Sequence, residues 1–176
     1  MSRLFGSAAL LALVAVAPTA VRAQSSSGPN FNIAAGVSLP TGNFSNRNDA
    51  GYNIIVGIGA MERGSPLGFR AEGIYNEFNQ KLTSDKSRAG GVTANLIYDL
   101  VAPNSAQNNT LYLTGGIGYY STRDRFESES QSNVGWNLGG GFKFPLSGFS
   151  AYLEARYHAV SNTSVKFIPM SFGLVF

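Results

Sequence analysis

The final nine residues, Ile168-Pro-Met-Ser-Phe-Gly-Leu-Val-Phe176, constrain the fold more than any other stretch of this chain. Ile168, Met170, Phe172, Leu174 and Phe176 share one parity. Side chains alternate across a strand, so this segment reads as a strand with one wholly apolar face and a terminal aromatic. A water-soluble domain rarely ends that way.

The alternation recurs upstream. Eight stretches of about ten residues alternate apolar and polar positions, as barrel strands do. They fall at 31–39, 50–62, 68–78, 89–100, 111–120, 134–144, 149–159 and 166–176. None sustains a helical period, and 21 glycines argue against helices. The connectors 40–49, 79–88, 121–133 and 160–165 are polar, and the mixed charge of 121–133 reads as a solvated loop. Those at 63–67 and 145–148 are short and rich in Gly, Ser and Pro; 101–110 is longer and contains Pro103. Mostly short turns at one end and polar loops at the other predict an all-β fold over 31–176. The expected architecture is an eight-stranded antiparallel up-and-down transmembrane β-barrel.

The start of the chain predicts export. Arg3, the apolar run from Leu4 to Ala17 and Val21-Arg22-Ala23 have the pattern of a cleavable signal peptide over 1–23. The apolar run is too short to span a bilayer, and 24–30 follows as a short polar segment. Without the signal, the thirteen bases lose Arg3 and Arg22, leaving eleven against ten acids. The basic pI therefore carries no nucleic-acid signal, and no basic stripe with interleaved aromatics is present. The absence of cysteine excludes disulfides and thiolate metal sites.

Alternation alone fits a soluble barrel as well as a membrane barrel; bulk decides between them. One parity reads Ile54, Val56, Ile58; Phe69, Ala71, Gly73, Tyr75; Val92, Ala94, Leu96, Tyr98; Leu111, Leu113, Ile117, Tyr119; Trp136, Leu138, Phe142, Phe144; and Phe149, Ala151, Leu153, Ala155, Tyr157. These runs contain no charge. The other parity is rich in glycine and small polar residues. An eight-stranded barrel has room inside for side chains but for no wide channel, so the small polar set is expected inside. The apolar set then faces outward, which is tolerable in lipid.

With both termini at the periplasmic end, Tyr52, Tyr75, Tyr119, Trp136 and Tyr157 fall toward the extracellular interface. Phe69, Tyr98, Phe144, Phe149 and Phe176 fall toward the periplasmic one. Two aromatic girdles are the expected result. The interior parity also carries Arg70, Glu72, Asp99, Lys143, Glu154, Arg156 and His158. Charges in a narrow lumen must pair, so a charge network is expected to plug it. The pairs anticipated are Arg156 with Glu154, and Arg70 with Asp99 or Glu72. A hairpin turn at 145–148 sets Gly139 and Gly141 opposite Glu154 and Tyr152 in the simplest register.

Gly36-Val-Ser-Leu-Pro-Thr-Gly-Asn-Phe44, Glu154-Ala-Arg-Tyr-His158 and the terminal Phe176 resemble the small eight-stranded outer-membrane β-barrel family, the OmpX/Ail-like proteins and the OmpA transmembrane domain. The resemblance covers the whole mature chain, 24–176, and implies the outer membrane of a Gram-negative-type bacterium. It implies a surface-interaction scaffold, with a narrow pore or hydrophobic-solute conduit as one alternative. Phe172, Leu174 and Phe176 become a C-terminal assembly signal. The implied partners are outer-membrane lipid and lipopolysaccharide, the barrel-assembly machinery and periplasmic chaperones, with an extracellular ligand at the loops.

A second alternative is chemical. His158-Ala-Val-Ser161-Asn162 partly resembles the His-x-Ser-Asn signature of outer-membrane lipid A deacylases. A histidine can activate a serine nucleophile, but the extra residue here puts His158 and Ser161 on opposite faces of an extended strand. No catalytic residue, cofactor or metal site is therefore expected. Gly57-Ile-Gly59, Gly115-Gly-Ile-Gly118 and Gly139-Gly-Gly141 open no helix and are not phosphate loops.

Overall fold

The computed structural model describes residues 28–61, 64–82, 85–100, 109–123 and 131–176. The segment expected to be a signal peptide lies outside them, as do residues 101–108 and 124–130 of two connectors. The strands are β1 (Pro29–Pro40), β2 (Asn48–Met61), β3 (Leu67–Gln80), β4 (Lys86–Asp99), β5 (Thr110–Arg123), β6 (Gln131–Leu146), β7 (Phe149–Val160) and β8 (Lys166–Val175). Each pairs antiparallel with its sequence neighbour, and β1 pairs with β8, so the sheet closes into a barrel. A closed sheet leaves no edge, and every strand finds ladder partners on both sides.

The start of β1 and the end of β8 share one rim with the ends of β2, β4 and β6. We call this the terminal rim and its opposite the loop rim. Several strands run further toward the loop rim than composition indicates. β3 continues to Gln80 and β4 starts at Lys86, so the connector expected at 79–88 shrinks to a few residues. Once two strands are in register, polar residues extend the ladder as readily as apolar ones, because the bonds belong to the backbone. Gly42–Asn46 between β1 and β2 forms a short 3-10 turn that buries Phe44.

The β6–β7 connection corrects an expectation. Leu146 pairs with Phe149, so the turn is only Ser147-Gly148, with Gly148 at φ 97. Such tight hairpin turns require positive φ, which glycine adopts freely. The shorter turn moves the register by two residues. Gly139 lies opposite Arg156, Gly141 opposite Glu154, and Lys143 opposite Tyr152.

The two parities separate as bulk dictates. Ile58, Phe69, Ile117 and Leu138 are each more than 60% exposed on the outer surface. Inside, Asn32, Asn53, Asn76, Thr93, Asn95, Thr114, Asn137 and Ser171 are buried. This barrel is polar within and apolar without. The interior is bulkier than anticipated, however, holding Tyr112, Tyr120, Tyr152, Phe78 and Phe167 as well. Glycines on facing strands make the room. A Cβ at Gly173 would run into the Tyr152 ring, one at Gly141 into the Tyr112 hydroxyl, and one at Gly118 would come within 2.8 Å of the Tyr120 ring. Gly173 and Gly141 thus seat tyrosines of the neighbouring strand, and Gly118 seats one of its own.

Candidate functional site

Strands β3 and β7 lie across the barrel from each other. Each presents an alternating charged pair inward: Arg70 and Glu72, and Glu154 and Arg156. The four side chains join into one network. Arg70 Nε lies 2.9 Å from Glu72, and its Nη2 2.5 Å from Glu154. Arg156 Nη1 lies 2.6 Å from Glu72, and its Nε 2.8 Å from Glu154. Every arginine touches both carboxylates, and all four side chains are at most 5% exposed.

Neutral side chains finish the layer. Asn32 and Asn95 donate to Glu72 at 3.1 and 3.0 Å, and Tyr112 donates its hydroxyl to Glu154 at 2.8 Å. The Arg70 guanidinium sits over the Tyr152 ring, 5.6 Å from its centroid. Burial this deep is tolerable because the charges balance and are hydrogen-bonded. The arrangement bridges the lumen from wall to wall.

An aromatic layer lies on the loop-rim side of the charges. Phe44, carried inward by its 3-10 turn, meets Phe78 edge-on at 5.1 Å, and Phe78 meets Phe167 at 5.6 Å. His158 stacks on Phe167 at 5.0 Å, and its Nδ1 lies 2.9 Å from the Tyr120 hydroxyl. A hollow of about 370 Å³ opens beyond this layer, bordered by Arg47, Arg88, Arg123 and Thr122. On the terminal side, a pocket of about 80 Å³ touches Arg70, Tyr112 and Tyr152.

Two sequence expectations need correction. Asp99 and Lys143 stand outside the network and pair with each other at 3.0 Å near the terminal rim, while Arg70 takes Glu72, one of its two expected partners, at 2.9 Å. His158 belongs to the aromatic layer, held by Tyr120 and Phe167, and not to the charge network. Ser161 is exposed in the β7–β8 turn, where its N–H bonds Val134 O at 2.9 Å, so His158 and Ser161 do not form a pair. Among the described residues, no cluster of His, Asp or Glu is suited to hold a metal.

On the outer surface, Tyr52 packs on Tyr75 at 6.2 Å and Trp136 on Tyr157 at 5.5 Å, toward the loop rim. Tyr119 is exposed in the same zone. Toward the terminal rim, Phe144 meets Phe172 at 6.5 Å and Phe149 meets Phe176 at 5.9 Å. Phe69 and Tyr98 are exposed there, and Leu174 is half-buried. Phe176 is tied into β1 by its N–H to Phe31 O at 2.8 Å.

The outward row of β3 does not stay uncharged: beyond Tyr75 it reaches Glu77. Glu77 accepts from Tyr75 and from Arg88 at 2.9 Å each, and it also pairs with Lys86. This group escaped the sequence reading because 79–88 looked like a loop. Continuing the Phe69–Tyr75 parity by one step would have found it.

A closed, internally bonded sheet with a polar core and an apolar exterior is a membrane-spanning β-barrel. The chain matches the family model described as outer membrane protein beta-barrel domain over residues 7–176, and it belongs to that family of the Gram-negative outer membrane. Among solved structures, it is similar to Neisserial surface protein A, with TM-score 0.64 and 15% identity over 85% of this chain and 96% of that one. It is also similar to Ail, the attachment invasion locus protein of Yersinia pestis, with TM-score 0.53 and 18% identity over 84% and 97%. The N-terminal barrel of Pseudomonas aeruginosa OprF gives TM-score 0.52 and 14% identity over 84% and 97%. At such identities the likeness speaks for the fold. No curated protein sequence matches the chain.

Proposed function

We propose that this protein is a surface-facing outer-membrane scaffold with a closed lumen, that both termini lie in the periplasm, and that it is not an enzyme. The observation that carries the reading is the Arg70–Glu72–Glu154–Arg156 network, in which every buried charge has two opposite partners. An ion crossing this layer would have to break pairs that hold one another, with the aromatic layer still beyond. The loop rim is then the surface available to an extracellular ligand. Phe172, Leu174 and Phe176 are the segment offered to the assembly machinery and chaperones.

Conductance of the refolded barrel in planar bilayers tests the closed lumen. The expected record is a quiet baseline with rare, small events; a large, steady, ion-selective current would establish the pore reading instead. One observation favours that second reading. Asn53 Nδ2, Thr114 Oγ1 and Arg156 Nη2 are buried without a protein hydrogen-bond partner, as groups along a hydrated path would be. Orientation is tested separately. Ser45→Cys and Ser164→Cys should react with an impermeant reagent on intact cells, and Ser147→Cys only after the outer membrane is disrupted. The reverse pattern would invert the topology.

A further inference from the structure

We propose that His158 is an acid-sensitive latch on the lumen. A neutral ring holds the aromatic layer shut; a protonated ring releases it and lets water from the loop rim down to the charge network. The latch deepens the closed-lumen reading above and rests on it.

His158 is the chain's single histidine, and it is fully buried. A neutral imidazole has one N–H, and the Tyr120 oxygen, 2.9 Å from Nδ1, can accept it. An imidazolium donates from both nitrogens. Nε2 is buried without a partner in the protein, so the second N–H has no acceptor.

Charge adds to the mismatch. The groups around the ring are Tyr120 of β5, Asn137 opposite it on β6, Phe167 of β8 and Arg156, two residues back on the same face. Phe78 of β3 stands behind Phe167. None of these is a carboxylate. Glu72 and Glu154 lie in the charge layer, and each is already shared by Arg70 and Arg156. Beyond Phe44, the hollow is bordered by Arg47, Arg88 and Arg123 and, among the described residues, by no acid. A proton on His158 therefore adds a third buried cation against two carboxylates. An unpaired buried charge favours any rearrangement that brings it water.

The layer has a way to yield. His158 stacks on Phe167, Phe167 meets Phe78, Phe78 meets Phe44, and Phe44 borders the hollow. Phe44 is carried by a 3-10 turn and not by a strand. Next to Phe167 the β7–β8 ladder lapses, between the His158–Phe167 and Ala155–Met170 pairs. The register sets Pro169 opposite Arg156 there, and proline has no N–H to give a ladder. At Ile168 and Pro169, β8 is paired with β1 alone.

The chain has no cysteine, so single cysteines report access to the lumen. Thr114 is buried on the ladder row of Arg156, and its hydroxyl has no partner in the protein. Thr114→Cys is compared with the exposed Ser164→Cys on the full barrel refolded in phosphocholine micelles. The readout is the ratio of their rates with a small methanethiosulfonate reagent, at about pH 7.5 and about pH 5. The ratio should rise about thirtyfold at the lower pH. That is the factor by which a histidine of ordinary pKa, about 6.5, shifts an opening equilibrium when only the open form takes the proton. With His158→Gln, which hydrogen-bonds but does not titrate, the ratio should stay constant. An unchanged ratio with His158 present, or an equal rise in the Gln variant, would overturn the latch. If that variant does not refold, the ring NMR signal of the single histidine decides. Its titration must share a midpoint with the rise in labelling, and separate midpoints would overturn the latch as well. Conductance at about pH 7.5 judges the closed lumen separately, since the latch is read from the change with pH.

Discussion

Removing Glu154 gives the sharpest test of the lumen. Its carboxylate faces Arg70 at 2.5 Å, Arg156 at 2.8 Å and the Tyr112 hydroxyl at 2.8 Å. In Glu154→Ala, Glu72 alone must balance two buried arginines, leaving one positive charge uncompensated. Breaking a buried pair from one side costs about 3–5 kcal/mol. The stranded Tyr112 hydroxyl adds about 1 kcal/mol. Changing Arg156→Met in the same chain restores neutrality, because Arg70 and Glu72 still pair at 2.9 Å. Exchanging a whole buried pair for apolar groups is often close to neutral. The double variant should therefore be more stable than the single one by about 2–4 kcal/mol, the gap between those two cases. Urea unfolding in lipid vesicles measures this directly. Trp136 is the chain's single tryptophan and sits 47% exposed on the outer wall, so its emission reports loss of the lipid-facing surface. A double variant as unstable as Glu154→Ala alone would refute the reasoning, because the lumen would then be wet enough to solvate a lone arginine.

Two further outcomes follow from the packing. Gly173→Ala should cost about 1–3 kcal/mol by overpacking against the Tyr152 ring, while Gly90→Ala, whose added Cβ finds nothing closer than 3.5 Å, should be near neutral; equal effects in the same unfolding assay would remove the seating role of the inner glycines. Leu96→Arg, outward and mid-strand, should cost about 2–4 kcal/mol in a bilayer. Leu82→Arg, 92% exposed beyond the end of β3, should cost almost nothing, and refolding yields that match would contradict the assignment of the outer face to lipid.

The faces were legible because a strand's parity is local and bulk decides which side fits inside. Ile54, Val56 and Ile58 needed no partner to be assigned outward. The strand ends were less legible: Lys86 and Arg88 are polar, and their ladder partners, Asn79 for Lys86 and both Glu77 and Arg123 for Arg88, keep them in the sheet. The interior tyrosines were hidden differently. Tyr152 fits inside because Gly173 stands beside it on β8, and such a complement cannot be read from one strand. The same holds for the charges. Arg70 meets Glu154 across 84 residues of sequence, while the parity rule sees only neighbours two apart. Sequence therefore named the charged residues, and tertiary register chose their partners.

Phe31 and Phe176 exchange both backbone hydrogen bonds, at 3.0 and 2.8 Å, where the last strand meets the first. This seam joins segments nearly a full described chain apart, so it closes at high loop-closure entropy and late in folding. Until it forms, β1 and β8 are two unpaired edges in search of strands. Once it forms, no strand can peel away alone, because each is bonded on both flanks. Unfolding must then open the whole ring in one costly event, and the persistence of this barrel becomes a matter of rate as much as of equilibrium.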